Sequence, residues 1–157
     1  MAKKKIEVTF HNSATELIKR LDEVALKEKN NFPASITDPF VFCYSKRRIM
    51  FIQELWQFLK SKIVYDRLDG PKDNVKAPNI VWADKRANYY SYILFIASFL
   101  KACNINFEYV LVRLNPGKDF QHVYFLFPDT DETLDITLTA PGIEGGPVIE
   151  RLILKPI

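Results

Sequence analysis

Cys43, Cys103, His122 and Asp135 are of the types that run nucleophilic and acid–base chemistry. A cysteine thiolate beside an imidazole that a carboxylate orients is the usual machinery of acyl transfer. Here the two cysteines are far apart, sit in apolar or aromatic surroundings, and lack the CxxC or Cys/His spacing that a zinc site needs. Reduced, buried thiols are therefore expected, and no metal or cofactor is implied. His122 falls in a run that reads as a strand, where an imidazole most simply hydrogen-bonds Asp135 or packs on an aromatic ring such as Tyr89. The alternation Leu134, Ile136, Leu138 sets the Asp135 carboxylate on the face opposite the core leucines.

Elements that would position these residues can be read from periodicity. Ile6 to Phe10 alternates as a half-buried strand, and Ser13 with Glu16 has the spacing of a capping box opening a helix. Leu17, Leu21 and Val24 recur at helical spacing. That helix is predicted to end near Asn30 and Asn31, with Pro33 and Pro39 bracketing a loop. Ser45 can cap a second helix with an apolar stripe of Ile49, Ile52, Leu55, Trp56, Leu59 and Ile63, widened by Phe51 and Phe58. Between Tyr65 and Ala83 the turn formers Asp66, Asp69, Gly70, Pro71, Asp73, Asn74 and Pro78 predict a surface loop.

From Lys85 to Cys103 nearly every side chain is apolar or aromatic, as in a helix surrounded by protein on all sides. Four β-branched and aromatic runs follow, Phe107 to Leu114, Gln121 to Phe127, Thr133 to Thr139 and Val148 to Leu154, separated by Pro, Gly and Asp turns; they predict an antiparallel sheet. Gly142 to Pro147 reads as a loop before the last strand. Helices first and strands afterwards is the α+β order: N-terminal helices, one of them central and buried, packed on a C-terminal antiparallel sheet.

A chain of 157 residues, 48% hydrophobic, fits one domain over 1–157 with a sizeable core. A net charge of +3 and a pI near 8.8 signal nucleic acid only weakly, and the basic clusters Lys3 to Lys5 and Lys46 to Arg48 read as solvated segments. The N-terminus lacks the apolar region of a signal peptide, which points to a cytoplasmic product or a virion component made in a cytoplasm. The longest apolar stretch, Tyr89 to Cys103, is interrupted by Ser91, Ser98 and Lys101 and is shorter than the ~20 residues that span a bilayer, so no membrane segment is expected.

The stretch Ala87-Asn88-Tyr89 through Leu100-Lys101-Ala102-Cys103-Asn104-Ile105 resembles the core helix of transglutaminase-like domains, which share the papain-type architecture. The family pattern is Gly-Asp-Cys, polar residues, then an apolar helix ending in Leu-x-x-x-Gly-Ile. Aligned on Ile105, the family's nucleophilic cysteine falls on Tyr89, its preceding aspartate on Asn88 and its glycine on Ala87. Asn104 stands for the glycine before the final isoleucine and, like it, tolerates a left-handed helix end. Gln121-His122-Val123-Tyr124 looks like the family's histidine strand, and Leu134-Asp135-Ile136-Thr137 like its Leu-Asp-Ala-Thr strand. Ile63-Val64-Tyr65-Asp66 with Pro71 and Pro78 resembles the segment leading to the nucleophile. The similarity covers roughly 45–139 in the order Cys, His, Asp.

The resemblance implies remnant triad positions Tyr89, His122 and Asp135 without the sulfur. A phenol, with an ordinary pKa of about 10 against about 8.5 for cysteine, is a bulkier and weaker nucleophile toward amides. Cys103 lies about 21 Å further along the same helix, at 1.5 Å per residue. The expected function is a catalytically inactive domain serving in structure, assembly or binding, with other protein chains as partners. Domains of this kind also resemble ones familiar from tailed-phage genomes, which implies a virion setting. Two alternatives stand beside it: a hydrolase or acyltransferase using His122 with Cys43 or a metal, and a nucleic-acid-binding accessory protein.

Overall fold

A computed structural model describes residues 5–7, 13–32, 34–66, 74–117, 119–120, 122–137, 148 and 150–157. The expected first strand, Ile6 to Phe10, overlaps β1 (Lys5–Glu7) at Ile6 and Glu7; the rest of that run lies outside the described residues, as does the segment Gly142 to Pro147. Ser13 caps α1 (Ala14–Glu28) by accepting the Glu16 N–H, and a single 3-10 turn, Lys29–Asn31, ends it where expected.

The loop expected after Asn31 is instead helix α2 (Ala34–Lys46), with Pro39 inside it. Proline removes one intrahelical bond, but packing overrides this local preference: Phe40 stands edge-on to Phe58 and Phe99, with ring centroids 4.9 and 5.3 Å away. Ser45 therefore lies within α2 and caps nothing, and α3 (Arg48–Lys62) begins after one junction residue with no side-chain cap. Its core stripe is Phe51, Ile52, Leu55 and Leu59, followed by Ile63. Trp56 and Phe58 pack at the margin, whereas Ile49, in the first turn, is 87% exposed and leaves the stripe.

The expected loop from Tyr65 to Ala83 also holds more structure than its turn formers suggest. It contains β2 (Val64–Tyr65), β3 (Asn74–Lys76) and α4 (Pro78–Asp84). Pro78 opens α4 at its first turn, where the missing N–H has no intrahelical partner to lose. Lys85 then adopts a left-handed conformation, φ 57°, and β4 (Arg86–Ala87) pairs in parallel with β2. The central helix α5 consequently starts at Tyr89, not at Lys85, and runs to Ala102. Asn104 takes the left-handed conformation expected of it, φ 56°, and the Ile105 N–H bonds back to the Leu100 carbonyl at 3.0 Å.

The sheet is antiparallel and ordered β7-β6-β5-β8, built from β5 (Glu108–Arg113), β6 (His122–Phe127), β7 (Glu132–Leu134) and β8 (Glu150–Leu154). A separate antiparallel pair joins β1 to β3. The α+β architecture is thus the one the sequence predicts. Every residue from Ser91 to Leu100 is buried. Alternate sheet residues Tyr109, Leu111, Val123, Phe125 and Phe127 share one core with the helices, while Val110, Val112 and Tyr124 form a small cluster on the other face. Among the described residues no helix is long and apolar enough to cross a membrane.

Candidate functional site

Helix α5 begins where the Asn88 side chain accepts the Ser91 N–H at 3.0 Å, a cap that fixes the direction of the first turn. The segment before it is held by the parallel pair β2/β4 and by the Asp66 N–H on the Ala87 carbonyl, 2.9 Å. Tyr89 is the first helical residue. Its ring lies edge-on to Tyr65 and Tyr90 at 6.2 and 5.4 Å and 5.8 Å from the His122 ring.

Strand lengths decide what the Tyr89 hydroxyl does. β6 starts at His122, but β7 pairs only with Phe125, Leu126 and Phe127. Past the end of β7, the Val123 backbone has no strand neighbour on that side among the described residues. The phenol oxygen takes the neighbour's place: it accepts the Val123 N–H at 2.7 Å and lies 2.8 Å from the Val123 carbonyl oxygen. The same oxygen is 3.0 Å from His122 Nδ1. One phenol proton thus serves two acceptors, and the oxygen's acceptor side is occupied by a backbone donor.

His122 Nε2 is hydrogen-bonded to Asp135 Oδ2. The other carboxylate oxygen accepts the Thr137 N–H at 2.9 Å and the Thr137 hydroxyl at 2.6 Å. Burial alone would raise the Asp135 pKa, but the bonds from His122 and Thr137 outweigh it and hold the carboxyl below its ordinary value. An ionised Asp135 accepts only, so the Nε2 proton points at it, and Nδ1 faces the phenol. Burial pushes the Tyr89 phenol well above its usual value; the Val123 bond opposes this and the Asp135 charge adds to it. The phenolate is strongly disfavoured.

The structure therefore joins all three sequence-selected residues in one chain of bonds, Tyr89 to His122 to Asp135. One detail is corrected. β7 ends at Leu134, so strand alternation does not reach Asp135; it is buried together with Leu134 and Ile136, and the turn that follows the strand aims it at His122. Thr137 was missed as a positioning residue. The signal was present, since Asp-x-Thr is a common turn in which the carboxylate caps the backbone two residues on.

Neither thiol belongs to the site. Cys103 sits at the far end of α5, 3.8 Å from the Thr37 carbonyl, with its pKa pushed up to about 12 by burial and by Asp38. Cys43 is buried in α2 and points at the Arg47 carbonyl, 3.7 Å; burial and Glu54 raise its pKa, against a smaller lowering by Arg47. Thiolate character requires the opposite surroundings. Among the described residues no group of three or more His, Cys, Asp or Glu side chains is placed to hold a metal ion.

A second buried polar cluster, not anticipated from the sequence, lies at the C-terminal end of α5. Lys101 pairs with Asp22 of α1 at 3.0 Å, the two side chains being 7% and 6% exposed. Asp22 also accepts the Tyr109 hydroxyl at 2.6 Å and the Ile157 N–H at 2.8 Å, and Lys101 donates to the Ile157 carbonyl oxygen at 2.6 Å. This cluster ties α1, α5, β5 and the segment after β8 together. Lys101, which reads in the sequence as an interruption of an apolar helix, is its centre.

No protein-family model, no curated protein and no solved structure matches this chain.

Proposed function

We propose that the chain is a catalytically inactive domain of the transglutaminase-like kind that serves as a structural, assembly or binding component. Its partners are other protein chains, and its resemblance to domains of tailed-phage genomes makes a virion the setting to examine first. The observation that carries this reading is the state of the Tyr89 hydroxyl. A nucleophile must present a free lone pair to an acyl carbon and lose its proton to a neighbouring base. Here the base and the carboxylate stand in order, but the oxygen between them and α5 is bound by both backbone groups of Val123, and its burial disfavours the anion.

The ring also matters. It spans the gap between the first turn of α5 and β6.

The test is a turnover panel of glutaminyl peptides, peptide amides and aryl esters run on the chain and on His122→Ala. Background rates indistinguishable between the two support the reading. Turnover that disappears with His122 would sink it.

A further inference from the structure

At the end of α5 opposite Tyr89 lies a cavity of about 280 Å³. Leu26 and Lys29 line it from the C-terminal end of α1. Lys101, Ile105 and Phe107 line it from the last turn of α5 and the lead into β5, and Pro156 from the segment after β8. Ile105 and Phe107 are only 4% and 2% exposed, so the interior is apolar, whereas Leu26 keeps 39% of its surface in water. No aspartate or glutamate is among the described residues that line it.

Two lysines line this cavity, and they differ in what they already hold. The Lys101 side chain is 7% exposed, and its ammonium spends two of three N–H donors, on Asp22 at 3.0 Å and on the Ile157 carbonyl oxygen at 2.6 Å. The third has little access to bulk water, and a buried charged donor without an acceptor is costly. Lys29 is half-buried, and its ammonium has no ion pair or hydrogen bond with a described residue. Asp22 is already engaged: one oxygen takes Lys101 and the Tyr109 hydroxyl, the other the Ile157 N–H. Two cations against one carboxylate leave a single positive charge. The carbonyl ends of α1 and α5 also gather here and oppose an anion. They are partly spent, since the Ala25, Leu100 and Lys101 carbonyls accept the N–H groups of Lys29, Ile105 and Asn104.

We infer that this cavity is a binding site for a monocarboxylate carried on a short apolar or aromatic body. The carboxylate takes the spare Lys101 donor and the Lys29 ammonium, both charge-assisted bonds, and neutralises the surplus charge. The body lies against Leu26, Ile105, Phe107 and Pro156 and displaces water from apolar surface. The volume is at the small end of ligand pockets and suits a body of about one ring with a short side chain. A dianion such as a phosphate monoester would leave one of its charges uncompensated. The same group occurs on a free small acid and at the end of a peptide whose last residue is apolar, and both satisfy this chemistry. The site is remote from Tyr89 and does not depend on the inactive reading; a chain-end ligand would make it a contact point for the partner chains proposed above.

Titration of the isotope-labelled full chain with hydrocinnamate, followed by NMR, tests it. Saturable shifts are expected at the amides of Leu26, Lys29 and Asn104 to Phe107, with those of Tyr89 and His122 unmoved. Hydrocinnamyl alcohol has the body without the charge and acetate the charge without the body; each should bind about tenfold more weakly or worse. Lys29→Met should weaken hydrocinnamate by about tenfold or more. Lys27→Met removes the same charge from an exposed position of α1 and should leave binding unchanged. Matching melting temperatures of the two variants show that the loss is not one of folding. A peptide ending in a free leucine carboxylate, set against its amide, separates the two sources. Tighter binding than hydrocinnamate, lost in the amide, assigns the site to a chain end; exclusion of the peptide assigns it to a free acid. No saturable shift with hydrocinnamate at several millimolar, equal binding of the alcohol, or indifference to Lys29→Met overturns the proposal. His122-dependent turnover would remove the inactive reading and leave this one untouched.

Discussion

A polar cluster with a tyrosine hydroxyl and a carboxylate stands at each end of helix α5, and the two ends use them differently. At the N-terminal end the phenol of Tyr89 bonds the β6 backbone at Val123, and the carboxylate of Asp135 reaches it through an imidazole that is 22% exposed. At the C-terminal end the phenol of Tyr109 bonds Asp22 directly, and the fourth partner is a buried ammonium. One cluster runs from phenol to imidazole to carboxylate; the other holds a buried ion pair. Order and residue type alone mark the first as a site of chemistry. Geometry makes both of them joints between the helix layer and the sheet.

If the C-terminal cluster is the stronger joint, breaking it should have the largest effect on stability. Asp22→Ala takes the paired carboxylate from the buried Lys101 ammonium, and also strips a partner from the Tyr109 hydroxyl and from the Ile157 N–H. The expected loss is about 3–5 kcal/mol in a denaturant titration. Lys101→Met should cost less, because Asp22 keeps its two other donors. Equal losses would mean that the pair does not act as the geometry implies.

At the opposite end, Tyr89→Phe keeps the ring and deletes the oxygen. The Val123 N–H and carbonyl then lose their partner, at a cost of about 1–3 kcal/mol. A neutral substitution would show that water or a shift of β6 replaces the phenol. Tyr89→Cys should be at least as destabilising and should create no turnover.

The pH dependence separates the two ends further. Asp135 has a lowered folded pKa. Its contribution is therefore complete above the ordinary aspartate value of about 3.9 and fades as pH falls through the depressed one. Thermal melts of the wild type and of Asp135→Asn should differ at neutral pH and converge in acid. A gap that persists below the carboxylate range would assign the effect to shape instead of charge.

The smallest expected effect concerns sulfur. With burial raising both thiols, native protein should react slowly with a thiol reagent, and Cys103 more slowly than Cys43. A fast-reacting Cys43 would reopen the relocated-nucleophile alternative.

Most of the N-terminal end of α5 was legible because its signals are local. Apolar density marks the helix, Asn104 its end, and the run Gln121 to Phe127 the strand that brings His122 across. The helix start was read four residues early, because composition does not reveal that Lys85 turns left-handed and that Arg86 and Ala87 pair with β2. Helix α2 was hidden by Pro33 and Pro39; what overrides the prolines is the packing of Phe40 on two other helices, and that is not a local property. The hydroxyl's role depends on β6 outrunning β7, a difference in strand lengths that no motif records. Asp22 and Lys101 were invisible for the same reason: a helix-surface aspartate and a lone lysine become a buried pair only when α1 lies on α5.

The central claim is that the Tyr89 oxygen acts as a missing rung of the sheet. Amide hydrogen exchange at Val123, followed by NMR in the wild type and in Tyr89→Phe, tests it most directly. The account predicts a protected Val123 amide in the wild type, although β7 stops short of it, and a large loss of protection in Tyr89→Phe with Phe125 unchanged. Free exchange at Val123 in the wild type, or protection that survives the loss of the hydroxyl, would contradict it.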